Sequence, residues 1–163
     1  FVLTLFLSPA FGAEQIYIIQ KDFDSVVPVY MPGHIGDPAW IEGFVIGGDI
    51  LYNGEKSGTV TGEVWLWNPP LSLDEAYQQV GMVITNTITA LGGSTFEVHA
   101  QGVALGSSTT AELGDVTVTW SGSVANGTGF FVNNFGVSAG AVSANIFTQT
   151  AVGDEIVRVR NGF

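Results

Sequence analysis

The chain contains no cysteine. That removes disulfides, thiolate catalysis, cysteine-based zinc sites and a lipoprotein-type anchor. Burial alone must hold the fold together. Positive charge is nearly as scarce. Lys21, Lys56, Arg158 and Arg160 stand against 15 carboxylates, for a net charge of −11. A nucleic-acid partner needs basic surface to neutralise phosphates, so this balance argues against one. It disfavours attraction to an anionic membrane surface for the same reason. Charged residues make up only 12% of the chain, against roughly 25% in an average protein. With 46% hydrophobic residues, the composition is that of a folded chain. Beyond the first residues, no apolar run reaches the length of a membrane span.

Residues 1–13 (FVLTLFLSPAFGA) are apolar, then broken at Pro9, then small at Ala10, Gly12 and Ala13. They read as the end of a secretory signal peptide whose basic start is missing. A buried first strand is the competing reading. On the first reading the chain is exported, to the periplasm or the outside, and residues 14–163 form one domain.

From Glu14 onward the dominant period is two, the period of a half-buried strand. Gln15 to Gln20 is a short strand candidate. Asp22 to Asp37, with Pro28, Pro32, Gly33 and Gly36, reads as an irregular connection. Gly43 to Asn53 is a strand with a bulge expected at Gly47-Gly48, and Asn53-Gly54 is a hairpin turn signal. Ser57 to Asn68 is the clearest strand. Ser72-Leu73-Asp74-Glu75 has the form of a capping box, which suggests one helical turn through Gln79. Gly81 to Leu91, Ser94 to Leu105, Asp115 to Ala125, Gly136 to Thr150 and Glu155 to Arg160 complete about eight strands. The 22 glycines follow no fixed period and read as turns, bulges and corners. The expectation is an all-β fold, a single eight-stranded antiparallel β-barrel, with a β-sandwich as the alternative.

Three stretches carry a resemblance. Leu91 to Gly102 has a Gly-Gly turn, an alternating strand and Gln101-Gly102. Asn126-Gly127-Thr128-Gly129-Phe130 is followed by Gly136 and Gly140. Asn53 to Gly58 leads into Val60-Thr61-Gly62. Their order and spacing resemble the allene oxide cyclase-like and dirigent-like β-barrels. The resemblance implies an eight-stranded barrel with an apolar cavity, sometimes dimeric or trimeric. Known members include plant oxylipin cyclases, dirigent proteins that orient radical coupling, and bacterial cyclases that close spirocyclic polyketides. No charged catalytic set here matches the plant cyclases residue by residue, so no catalytic residue is assigned.

Alternation sorts the side chains into faces. Val60, Gly62, Val64 and Leu66 share one face of their strand, and Thr61, Glu63, Trp65 and Trp67 the other. Met82, Ile84, Asn86 and Ile88 form an apolar face, as do Phe96, Val98, Ala100 and Gly102. So do Val116, Val118, Trp120 and Gly122, and Phe44, Ile46, Ile50 and Tyr52. If these faces line the lumen, Tyr52, Met82, Asn86, Phe96 and Trp120 are the candidate ligand-binding residues. A mostly apolar pocket with a few polar points would bind a small hydrophobic molecule. It could act as an isomerase or cyclase by holding a polyene, oxylipin or phenolic substrate in a reactive fold. A filled core is the plainer reading of the same faces. Trp65 and Trp67 then point outward as a subunit interface or covered patch; inverting the strand would make them, with Glu63, the ligand floor. A non-catalytic oligomeric barrel is the functional alternative. Glu97 and His99 share a face at roughly 7 Å, which suits a shared water better than direct contact. No spacing supports a metal site, the Asp22, Asp24 and Asp37 segment lacks the regular spacing of a calcium loop, and no cofactor is implied.

Overall fold

The structure is a computed structural model that describes residues 14–37, 40–67, 77–107, 115–145 and 148–161. Eight strands run in chain order around a closed antiparallel barrel. They are β1 (Glu14–Tyr30), β2 (Ile41–Tyr52), β3 (Glu55–Leu66), β4 (Tyr77–Ala90), β5 (Thr95–Ser107), β6 (Asp115–Ala125), β7 (Asn134–Asn145) and β8 (Thr150–Asn161). Each strand pairs with its sequence neighbours, and β8 returns to pair with β1. Closure removes every sheet edge, which sandwiches leave exposed.

The antiparallel order gives the barrel two ends. At the turn end lie the tight connections β2–β3, β4–β5 and β6–β7. The first of these uses Asn53 and Gly54, both at positive φ, as an Asn-Gly hairpin requires. The third carries the 3₁₀ turn Gly129–Phe131. At the loop end lie the connections after β1, β3, β5 and β7. In the first of these the His34 and Trp40 rings stack at 3.9 Å.

The longest strand departs from the sequence reading. β1 does not stop at Gln20 but continues through the expected connection to Tyr30. Its polar residues Asp22, Asp24 and Ser25 mask a strand that the β1–β2 ladder nevertheless satisfies. The bulge also moves. Gly47 and Gly48 keep regular register with Thr61 and Val60 of β3. The shift lies opposite them on β1, between Phe23 and Ser25, so Asp24 is the extra residue. Gly48 is needed there because a Cβ would run into the Asp22 carbonyl and the Phe23 backbone. The helical turn expected over residues 72–79 lies outside the described residues up to 76, and Tyr77 onward is strand.

The inward faces are those the alternation defines. Val60, Leu66, Met82, Ile84, Ile88, Phe96, Val98 and Trp120 are all buried, joined by Ile19, Phe23, Val142, Val157 and Val159. Fully burying each such side chain contributes about 1.5–3 kcal/mol. The turn end is sealed by aromatics. Phe131 from the 3₁₀ turn packs edge-on against Phe96 at 4.9 Å and Tyr17 at 6.5 Å. The glycine-rich stretch before it is held by Thr128, whose N–H donates to the Thr95 carbonyl at 2.8 Å and whose Oγ1 accepts from the Thr95 N–H at 3.0 Å. Among the described residues, no helix is long and apolar enough to cross a membrane.

Candidate functional site

Two charges sit in the middle of this apolar lumen. Lys21 of β1 and Glu155 of β8 are each 0% exposed, and Lys21 Nζ lies 2.7 Å from Glu155 Oε2. Their neighbours explain why they point inward. Ile19, Lys21 and Phe23 alternate on one face of β1, and Glu155, Val157 and Val159 on one face of β8. Both strands therefore carry one ionisable side chain on an otherwise apolar inward face.

Two further strands contribute to the pair. Trp120 of β6 donates its indole Nε1–H to Glu155 Oε1 at 3.2 Å. The Lys21 ammonium lies over the same indole, 5.3 Å from the ring centroid, within cation–π range. Asn86 of β4 has one amide orientation that satisfies both its ends. In it, the side-chain oxygen accepts from Lys21 Nζ at 3.2 Å and the NH₂ donates to the Thr85 carbonyl at 3.2 Å. Room for the indole comes from glycine on both sides. Trp120 pairs with Gly102 of β5 and Gly140 of β7, and a Cβ on Gly140 would collide with the ring.

The electrostatics follow from burial. Loss of water pushes the Lys21 amine below its usual value, and the Glu155 carboxylate opposes that shift as the smaller effect. Ser138 of β7 faces the same interior and is 3% exposed, yet its Oγ has no hydrogen-bond partner among the described residues. It lies one inward position from Gly140, which pairs directly with Glu155.

Around this polar centre the wall is apolar. Toward the loop end, Phe44, Val64, Val80, Val116, Val118 and Ala144 face the interior and are only half-buried, packed on the core but still reached by solvent. The interior therefore has an aromatic half toward the turn end, a polar middle layer and an apolar half toward the loop end. Such a layout matches a pocket with few, placed polar groups.

Four of the expected ligand residues, Met82, Asn86, Phe96 and Trp120, are buried in the interior, and Tyr52 is half-buried at its edge. The structure divides them. Asn86 and Trp120 belong to the polar layer. Phe96 belongs to the aromatic half, in edge-on contact with Phe131. Tyr52 lies there too; burial raises the Tyr17 phenol above its usual value, and electrostatic repulsion from Tyr52 adds to that rise. Lys21 and Glu155 were not among the expected residues. The signal that finds them is parity: each is the one charge on an otherwise apolar alternate face.

On the outside, Trp65 and Trp67 are 42% and 49% exposed, so the inverted-strand reading that made them a ligand floor is excluded. Each indole partly covers a glycine of a neighbouring strand. A Cβ on Gly43 would meet the Trp65 ring at 3.1 Å, and one on Gly81 the Trp67 ring at 2.9 Å. This is cross-strand aromatic cover of bare backbone. Trp65 also donates to Glu63 Oε2 at 2.9 Å. The outer pair Glu97 and His99 departs from expectation. His99 Nε2 and Glu97 Oε2 are in direct contact at 2.9 Å, because both side chains lean along the strand. Asn126 donates to the same carboxylate oxygen at 2.6 Å, and these partners hold the Glu97 carboxyl below the usual range.

No protein-family model matches the chain, and no curated protein matches it. Solved structures do. One pterocarpan synthase dirigent protein superposes with a TM-score of 0.60 at 15% identity, over 95% of this chain and 99% of that one. A second gives 0.56 at 16% identity, over 95% and 90%. A conserved protein of unknown function from Rhodopseudomonas palustris gives 0.55 at 12% identity, over 92% and 99%. The fold of this chain is thus that of the dirigent-like β-barrels.

Proposed function

We propose that this barrel binds a small, mostly apolar molecule in its lumen and holds it in a defined orientation. The observation that carries the proposal is the buried Lys21–Glu155 pair. An ion pair stripped of water is commonly no more stabilising than two well-packed apolar residues, so stability alone does not account for it. Charged groups with perturbed environments inside an apolar recess are instead the usual mark of a working site. The half-buried residues of the loop-end half supply the apolar wall, and the polar layer supplies the orienting contacts.

Catalysis, if the substrate is a polyene, oxylipin or phenolic compound, would be an isomerisation or cyclisation. The wall would fix a reactive conformer. The Lys21 ammonium would stabilise negative charge developing on a substrate oxygen. The dirigent-like fold is consistent with this role. The apolar residues 1–13 support export, to the periplasm or outside the cell.

Native mass spectrometry of residues 14–163 tests the reading. A co-purifying apolar compound of a few hundred daltons, or one captured from fatty-acid, polyene and phenolic libraries, is the expected result. A bare mass that survives all of these exposures would refute it. A second reading, a structural barrel that oligomerises, is favoured by the exposed Trp65 and Trp67. The same spectrum gives the oligomer mass, and Trp65→Ser/Trp67→Ser should reduce it; a monomer in both forms removes that reading.

A further inference from the structure

We infer that the lumen selects a neutral ligand carrying a hydroxyl or keto oxygen, that it rejects carboxylates, and that Glu155 sets this choice. The inference rests on the proposed reading of the lumen as a ligand site.

The argument is one of charge balance. Lys21 and Glu155 are one cation and one anion, 2.7 Å apart and without exposed surface. The other groups on them, Asn86 and Trp120, are neutral. The buried polar side chains among the described residues are Lys21, Asn86, Asn134, Ser138 and Glu155, so the ion pair is the whole of the buried charge. The polar layer is therefore neutral as it stands. A carboxylate entering it would have to share Lys21 with Glu155. Two anions around one cation in a low-dielectric interior leave one charge uncompensated, which is costly. One carboxyl would have to take up a proton, which at neutral pH is itself a penalty on binding.

A neutral oxygen meets no such barrier, and the layer has capacity for one. An ammonium has three N–H donors. The Asn86 oxygen accepts from one, and Glu155 Oε2 lies 2.7 Å from Nζ as an ion pair without regular hydrogen-bond geometry. Ser138 Oγ, one inward position from the Gly140 that pairs with Glu155, is buried with no partner among the described residues. A buried hydroxyl left unpaired costs about 1–3 kcal/mol, and a ligand oxygen next to it recovers part of that. The Ser138 hydroxyl, or a Lys21 N–H not directed at Asn86, can donate to such an oxygen.

Three probes that share one ring system separate the terms: naphthalene, 2-naphthol and 2-naphthoate, measured by equilibrium dialysis at pH 7. The wild-type chain should bind 2-naphthol roughly 3- to 10-fold more tightly than naphthalene, the span of one hydrogen bond. It should bind 2-naphthoate at least ~10-fold more weakly than 2-naphthol. Ser138→Ala should cut most of the gain for 2-naphthol and leave naphthalene unchanged. Glu155→Gln removes the competing anion, so 2-naphthoate, which would supply the counter-charge that Lys21 has lost, should become the preferred probe. Wild-type protein that binds 2-naphthoate as well as 2-naphthol overturns the inference and leaves the ligand-binding reading standing. Binding of none of the three overturns both. Should Glu155→Gln fail to fold, the wild-type and Ser138→Ala series decide the matter without it.

Discussion

At the scale of single residues, the Lys21–Glu155 pair makes an unusual stability prediction. Removing one partner strands a buried charge, so Lys21→Met should cost about 3–5 kcal/mol. Replacing both, as Lys21→Met/Glu155→Leu, should restore wild-type stability or exceed it, by up to ~1–4 kcal/mol. Urea denaturation of the two variants checks this. A double variant as unstable as the single one would mean that the pair holds the barrel together rather than serving a ligand. The residue scale is also where the sequence was most and least readable. Period-two alternation places Val60, Met82, Ile84, Asn86, Phe96 and Trp120 inside because each sits among apolar neighbours of like parity. Lys21 escaped the same logic because Gln20 and Asp22 flank it. A short polar run of that kind looks like the end of a strand, although only alternate members of it face the core.

At the scale of elements, closure depends on how β1 meets β8. Glu14 opens β1 and receives Arg158 and Arg160 of β8. Arg158 binds it through both Nε and Nη2, the latter at 2.7 Å, and Arg160 Nε donates at 3.1 Å. Arg158, ahead of the other contacts, holds the Glu14 carboxyl below the usual carboxylate range. A depressed carboxyl contributes stability that is present above its unfolded value and is lost as pH falls through its folded one. Amide protection at Gln15 to Tyr17 should therefore decline on acidification through that window, and Glu14→Gln should remove the decline at this site. Equal decline in the variant would mean that other carboxyls govern the seam. The strands β3 to β6 were legible because hairpin turns and clean alternation bound them. β1 was not, since neither Pro28 nor the Asp24 bulge shows in advance that a ladder with β2 continues past them. Pro28 is tolerated although it lies within the β1–β2 pairing. The Glu97–His99 contact was misjudged because backbone spacing alone does not report how side chains lean.

At the scale of the whole molecule, the two chain ends of the described barrel meet on adjacent strands, with Glu14 paired to Arg160. The order of strands around the ring is thus independent of where the chain is cut. A circular permutant that links Asn161 to Glu14 and opens at Asn53-Gly54 should fold to the same barrel, with the same far-ultraviolet circular dichroism and a similar urea midpoint. An insoluble permutant would show that the native cut point matters. The eight-strand ring was visible in the spacing of turns, and its closure was expected from the barrel resemblance; the register of β8 on β1 was not legible. No local pattern announces that the last strand will pair with the first.

That closure has a consequence for the order of synthesis. β1 leaves the ribosome first, and the strand that neutralises Lys21 leaves nearly last. At ordinary elongation rates of about 5–20 residues per second, the interval is on the order of ten seconds. Throughout it, the growing sheet presents β1 as an open border, the kind of surface on which separate molecules knit together. An unpaired ammonium on its inner face keeps that border wet. A strand that brings a carboxylate to the right position, as β8 does with Glu155, supplies the ammonium's counter-charge. The buried pair thus gives the molecule's own β8 a partner on β1 that a strand without such a carboxylate lacks.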